Sequence, residues 1–358
     1  MTQTGAGVTL NFRDVGVADR PTVGGKGASL GELTRAGIRV PPGFVVSTAA
    51  FERFLAEIDP QGSIRRAIEG LGVGDLPVIA KVAEGVRARI AGAPMPDDLA
   101  QAILAGYADL CAGAGDEPVA VRSSATSEDG AEASFAGLQD TYLWIRGGER
   151  VLHAVRDCWA SLYSAESVSY RLRLELPEGG LAMGVVVQRM VNSRCSGVMF
   201  TRSPLTGDRS VIAIESSWGL GSSVVSGVVT PDKYVLSKVT GEIVKRTVSH
   251  KTVEHVPDLA AGGVREIPVP EERRDAPCLD EAQIAELAGI GKRVEAHYRC
   301  PQDIEWAFAP DGDGGERLYL LQSRPETIWA NKEAKPAAAP KANAYAHVFA
   351  LLGGAKKS

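Results

Sequence analysis

The 358-residue sequence predicts an α+β fold of two lobes, each of mixed sheet and helix, with a cleft between them. Three observations carry this expectation. Helical periodicity dominates the first half, the pattern changes to short strands from Gly184 onward, and a hairpin of alternating polar and apolar residues closes the second half. The expected boundaries are 1–183 for the first lobe, 184–330 for the second, and 331–358 for a linker that ends in a docking tail. An apolar fraction of 44% is ample for two sizeable cores.

Along the chain, a loop or short strand to Val23 and a glycine turn lead into a helix over residues 28–36. Gly37 closes that helix ahead of a strand-like segment at 40–46. Ser47 and Thr48 precede a helix at 49–58, and 3.6-residue periodicity marks 79–90 and 99–111. Residues 118–124 read as a buried strand running into a polar loop, and a helix follows at 151–161. The later strands fall at 185–188, 196–201, 211–216, 233–237 and 243–248, before a last helix at 280–297. Segments 303–308 and 318–325 form the hairpin across a Pro/Asp/Gly turn. Residues 331–343, rich in Ala, Lys and Pro, read as a semi-extended linker. The apolar 345–352 that follow either fray as a terminal helix on their own domain or dock on a partner.

A formal net charge of −5 gives no global electrostatic footprint for nucleic acid. The five cysteines are odd in number and lack CxxC spacing, which argues against a disulfide framework or a zinc site and fits a reducing cytoplasm. Residues 1–7 lack a basic segment followed by an apolar core, and no long apolar span occurs. Neither a signal peptide nor a membrane anchor is expected, and the cytoplasm is the expected location.

Strand alternation places Asp303 and Glu305 on one face of the hairpin, opposite Ile304, Trp306 and Phe308, and puts Gln322 and Arg324 on one face of the second strand. Carboxylates in so apolar a strand pair need a cation or hydrogen-bond donors, and oxygen ligands beside an arginine suit magnesium and a polyphosphate. A salt bridge between neighbouring strands accounts for the same residues. Residues 24–30 offer glycines, Lys26 and an adjacent helix N-terminus, a set that suits phosphate or serves only as a structural turn. The GxxxxGK[ST] spacing is absent. Arg122 leaves a buried strand for a hydroxyl-rich loop and offers permanently charged planar donors to phosphate, or pairs with Glu128 or Asp129. Residues 134–141 have the small side chains of a mobile cover, with Gln139 and Thr141 as phosphate or metal contacts. Gln188 and Met190 lie where a strand passes into a hinge able to hold adenine, and read equally as plain core. Glu215 ends a strand at a glycine loop and is a candidate for ribose or adenine, although the loop also serves simply to turn the chain.

In this order the segments GGKGASLGEL, VAVRSSATSED, SFAGLQDTYL, VVVQRMV, SGVMFTRSPLTGD, GLGSSVVSGVVTPD, QDIEWAF and LYLLQSRPET resemble the ATP-binding domain of the phosphoenolpyruvate synthase and pyruvate phosphate dikinase family, an ATP-grasp fold. The resemblance runs from about Val23 to Thr327. It implies that Lys26 and Arg122 bind ATP phosphates, that Glu305 and Gln322 hold Mg2+, and that Arg324 stabilises the transferring group. Asp303, Thr141 and Glu215 carry over as further nucleotide contacts. Relatives often have an acidic residue after GLG, where this chain has Ser222.

Dikinases of this kind pass a pyrophosphoryl group to a histidine on a swivelling domain. None of His153, His250, His255, His297 and His347 lies in a segment like that domain's histidine motif. The resemblance therefore implies a histidine-bearing phosphocarrier subunit as partner, which would also bind the small-molecule acceptor. Size and architecture favour a likeness to the ATP-binding subunit of phenylphosphate synthase, with phenol as acceptor. The alternatives are the nucleotide-binding part of a phosphoenolpyruvate synthase or antibiotic phosphotransferase, and a non-catalytic ATP-sensing protein.

Overall fold

Along 44–46 and again along 185–187, successive apolar side chains point to opposite sides and bury both faces of one sheet. The computed structural model describes residues 7–113, 115–126, 140–311, 314–327 and 329. Strand β1 (Thr9–Asn11) is followed by helix α1 (Arg20–Arg35) and strand β2 (Gly43–Val46). Helices α2 (Thr48–Ile58), α3 (Ser63–Glu69), α4 (Leu76–Gly92) and α5 (Asp97–Cys111) precede β3 (Val119–Ala125) and β4 (Thr141–Ile145). Helices α6 (Gly148–Ser161) and α7 (Ala165–Arg173) then lead to β5 (Met183–Arg189). These five strands pair antiparallel in the order β1-β2-β5-β3-β4. Phe44, Val46, Val121, Val185 and Val187 pack with Phe51, Phe54 and Trp159 in one core, while Val45 and Val186 pack with Val23 and Leu30 of α1 in another.

The second sheet contains β6 (Cys195–Phe200), β7 (Val211–Trp218), β8 (Asp232–Ser237) and β9 (Ile243–Thr247), with the short α8 (Ser222–Val225) between β7 and β8. A separate hairpin follows, β10 (Val253–Pro257) and β11 (Val264–Pro268), then α9 (Glu271–Arg274), α10 (Glu281–Tyr298), β12 (Gln302–Pro310) and β13 (Glu316–Pro325). The six-stranded sheet has the order β13-β12-β6-β7-β8-β9, and its pairings are antiparallel throughout. Met199, Ile214 and Ile304 pack with Ile284, Leu287 and Val294 of α10. That helix starts at a capping box: Asp280 accepts from the Gln283 amide at 2.8 Å, and the Gln283 side chain accepts from the Asp280 amide at 3.1 Å.

Several expectations shift. The glycine turn at 24–27 belongs to α1, where only Gly24 leaves helical geometry (φ 72°, ψ 178°), and a Cβ there would stand 1.8 Å from the Ser124 carbonyl oxygen. Gly24 lets the helix cross β3 closely, and Gly27 lets it approach Val45 of β2. Strand β5, expected to open the second lobe, pairs with β2 and β3, so the chain leaves the first sheet only after Arg189. Helices α3 and α7 and the β10–β11 hairpin had no counterpart in the sequence reading. All five cysteines are free thiols. No helix among the described residues is long and apolar enough to cross a membrane. The chain divides into two compact units, 1–325 and 326–358; in the second, the Trp329 amide donates to the Glu326 carboxylate at 3.1 and 3.3 Å. The expected linker and the apolar 345–352 lie outside the described residues, as do 127–139 with Glu128, Asp129 and Gln139.

Candidate functional site

Register decides which side chains of the first sheet meet. Arg122 lies opposite Val186 on β5 and opposite Thr141 on β4, and Ala120 lies opposite Gln188. Ala120, Arg122, Thr141 and Gln188 therefore share one face. With Leu143 and Met190 they line a cavity of about 360 Å3, to which Leu220, Gly221, Ser222 and Val225 also contribute. The lining is apolar at Leu143, Met190, Val191 and Leu220 and charged at Arg122, Arg189 and Glu305. Its size suits a nucleotide-sized ligand.

The second sheet offers its own face. Glu305 is the cross-strand partner of Gln322 and Val198, Asp303 of Arg324 and Phe200, and Glu215 of Val198. All seven line an adjoining cavity of about 190 Å3, which shares Glu305 and Val225 with the larger one. Arg324 donates through Nε and Nη2 to Asp303 Oδ2 at 2.8 and 2.6 Å. The interstrand salt bridge is thus present, and it lies within the acidic cavity rather than replacing it.

Arg122 joins the two faces. Its Nη2 donates to Glu305 Oε2 at 3.0 Å and to Gln322 Oε1 at 2.5 Å, and its Nη1 donates to the Leu321 carbonyl at 3.1 Å. The β12–β13 register shifts after Glu305, so that Gln322 pairs with Glu305 but Leu320 with Trp306, and Leu321 is left unmatched at this bulge. The guanidinium is 10% exposed, and its Nε is buried with no hydrogen-bond partner. An unmatched buried N–H is costly, and an added oxygen acceptor removes that cost.

Other sequence candidates fall differently. Lys26 Nζ donates to the Ser123 carbonyl at 2.9 Å, beside Arg122, and Lys26 is absent from the lining of both cavities. The Gly27 amide donates to Ser124 Oγ at 3.0 Å, so this glycine segment packs α1 onto β3. Glu215, read as a ribose or adenine contact, lines the acidic cavity instead and pairs with Lys233 at 2.7 Å. Its side chain is fixed by β7 register, which sequence spacing does not reveal. Tyr142, next to Thr141, is held protonated by burial and by Asp140, whose carboxylate accepts its hydroxyl at 3.1 Å.

His153, His250 and His297 pair with Arg156, Asp275 and Glu32 at 2.8, 2.9 and 2.7 Å, and none of the described histidines lines either cavity. His255 stands on β10 with its Nδ1 2.8 Å from Ser222 Oγ. Only Gly219, 36 residues upstream of it, hinted at a close backbone approach.

Among the described residues no group of three or more His, Cys, Asp or Glu forms a metal cage. Glu305 and Gln322 are two adjacent oxygen donors. Mg2+ takes one or two protein oxygens and completes its shell with water and phosphate, so this donor set fits a metal that arrives with a polyphosphate.

A family model for the pyruvate phosphate dikinase AMP/ATP-binding domain matches residues 20–344. The chain belongs to this family. The domain is 44% identical over 318 residues to a probable phosphoenolpyruvate synthase of Methanothermobacter thermautotrophicus, covering 88% of this chain and 45% of that protein. It is 43% identical over 348 residues to a phosphoenolpyruvate synthase of Aeropyrum pernix, covering 89% and 42%. A rifampicin phosphotransferase of a Streptomyces species matches at 43% over 324 residues, covering 89% and 36%. The chain spans less than half the length of these relatives. It is an α+β ATP-grasp domain of the AMP/ATP-binding kind.

Proposed function

We propose that the domain binds MgATP between the faces of its two sheets and performs the nucleotide half of a phosphoenolpyruvate synthase-like reaction. In that half-reaction a partner histidine attacks the β-phosphorus, the bridging oxygen leaves with AMP, and the imidazole gives up its proton. Glu305 and Gln322 would hold the metal, which would supply charge neutralisation to the phosphates. Arg122, whose Nη2 these two oxygens now occupy, would turn its N–H groups to phosphate oxygens. Arg324, exchanging Asp303 for the transferring group, stabilises the charge that develops there. Met190 and Leu143 take the base. Lys26 adds positive potential behind β3.

The observation that carries this reading is the Arg122 guanidinium, which bridges the first sheet to the metal donors and keeps one buried N–H unmatched. The names of the relatives favour an acceptor of the phosphoenolpyruvate synthase or antibiotic phosphotransferase kind over phenol, for which the site has no specific residue. Titration calorimetry tests the nucleotide half. ATP affinity should depend on Mg2+, and Glu305→Gln should weaken MgATP about tenfold by removing a charged ligand. A folded chain whose ATP affinity ignores Mg2+ ends the proposal. Radiolabelled ATP, offered together with histidine-bearing proteins from the same cell, should label a partner histidine as AMP appears.

A further inference from the structure

The Leu220–Ser222 side of the larger cavity is held from behind by His255. The His255 carbonyl accepts from the Leu220 amide at 2.9 Å, and His255 Nδ1 lies 2.8 Å from Ser222 Oγ. Gly219 permits this approach: its φ is 72°, and a Cβ there would stand 2.4 Å from the His255 carbonyl oxygen. On the other side of the ring, Nε2 faces Glu266 Oε2 at 3.8 Å, and the two residues are direct partners across β10–β11. With the ring proton on Nε2, the side that faces that carboxylate, Nδ1 accepts the Ser222 hydroxyl proton. With its proton committed, Ser222 Oγ presents lone pairs to the cavity that it lines. The same hairpin reaches the opposite wall, where the Gly263 amide donates to the Trp144 carbonyl at 3.4 Å on β4, the strand that carries Thr141 and Leu143.

Charge at Arg122 and in the acidic cavity accounts for phosphates, and the apolar lining accounts for a base. The part of a nucleotide left between them is a sugar, whose hydroxyls donate hydrogen bonds. We propose that Ser222, oriented by His255, accepts a hydrogen bond from a ribose hydroxyl and lets the domain discriminate ribonucleoside from deoxyribonucleoside triphosphates. The inference rests on the reading of this cavity as an ATP site. Ser222 is the contact, and His255 is a positioning residue that acts through it.

Titration calorimetry of the full chain with the magnesium complexes of ATP, 2′-deoxy-ATP and 3′-deoxy-ATP tests it. The wild type should bind ATP about fivefold tighter than at least one deoxynucleotide, the scale of one neutral hydrogen bond. Ser222→Ala should bind all three alike, at the affinity that the wild type shows for the deoxynucleotide it disfavours. His255→Phe should match Ser222→Ala, while His255→Asn, whose amide group replaces Nδ1, should recover most of the preference. Should His255→Phe fail to fold by circular dichroism, Ser222→Ala and His255→Asn still decide the matter. ATP binding without sugar preference, or a preference that survives in Ser222→Ala, overturns this inference alone. A folded wild type that binds no MgATP overturns the nucleotide reading as well.

Discussion

Two ion pairs in this domain use the same kinds of charge under different degrees of satisfaction. Lys251 and Asp232 are both 0% exposed, and Asp232 accepts from Lys251 Nζ at 2.6 Å, from the Ser249 amide at 2.9 Å and from the Cys278 amide at 2.9 Å. Lys251 Nζ also donates to the Ser249 carbonyl at 2.8 Å. Arg122 and Glu305 are 10% and 32% exposed, their pair spans two sheets, and Arg122 Nε has no partner. A pair closed off from solvent, with further hydrogen bonds on both members, presents no surface to a ligand and fixes architecture. A pair that leaves a donor unmatched beside a cavity is set to exchange partners.

The comparison breaks most visibly at Lys251. Lys251→Met leaves the Asp232 carboxylate buried and unpaired, and should cost about 3–5 kcal/mol in denaturant unfolding. MgATP affinity of the protein that remains folded should not change, since neither residue lines either of the two cavities. Next comes Arg324, whose side chain is 41% exposed in its pair with Asp303. Arg324→Ala should slow AMP formation, assayed with a histidine-bearing partner, by about two or more orders of magnitude. Stability should change by no more than about 1 kcal/mol, the range of exposed pairs. A large loss of stability at unchanged rate would move Arg324 into the class of Lys251.

What sequence could reveal follows the same divide between local and distant determinants. The β12–β13 hairpin was legible because Asp303 and Glu305 alternate with Ile304, Trp306 and Phe308 while Gln322 and Arg324 lie two apart, and period-2 spacing fixes the face without knowledge of partners. The Ser47 cap was legible because a cap spans three residues. The membership of β5 in the first sheet was not, because Val185 and Val187 are buried in either sheet and only pairing with β2 and β3 decides. Strand β10 carries Glu254 and His255 and ends in Pro257, so its pattern is too polar to read as a strand, and its attachment is a distant Gly219. Arg122 was recognised as a donor, but its partners lie about 200 positions away in sequence, on β12 and β13.

A third pair lies between these extremes and gives the smallest effect. Arg194, just before β6, donates to Glu316, at the start of β13, at 2.5 and 2.8 Å, and the two side chains are 34% and 25% exposed. The Arg194 hydrogen bond holds the Glu316 carboxyl below its ordinary value of 4.5. The folded state therefore binds this proton less readily than the unfolded chain. The resulting stability is present above the unfolded value and is lost as pH falls through the folded one. Glu316→Gln should lower stability at neutral pH by no more than about 1 kcal/mol. The gap between wild type and variant, followed by thermal unfolding, should narrow as pH drops below about 4.5. A gap that stays constant to low pH would mean that Glu316 acts through packing and its bond to Gln283 at 2.9 Å rather than through charge, which would place it with neither of the other two pairs.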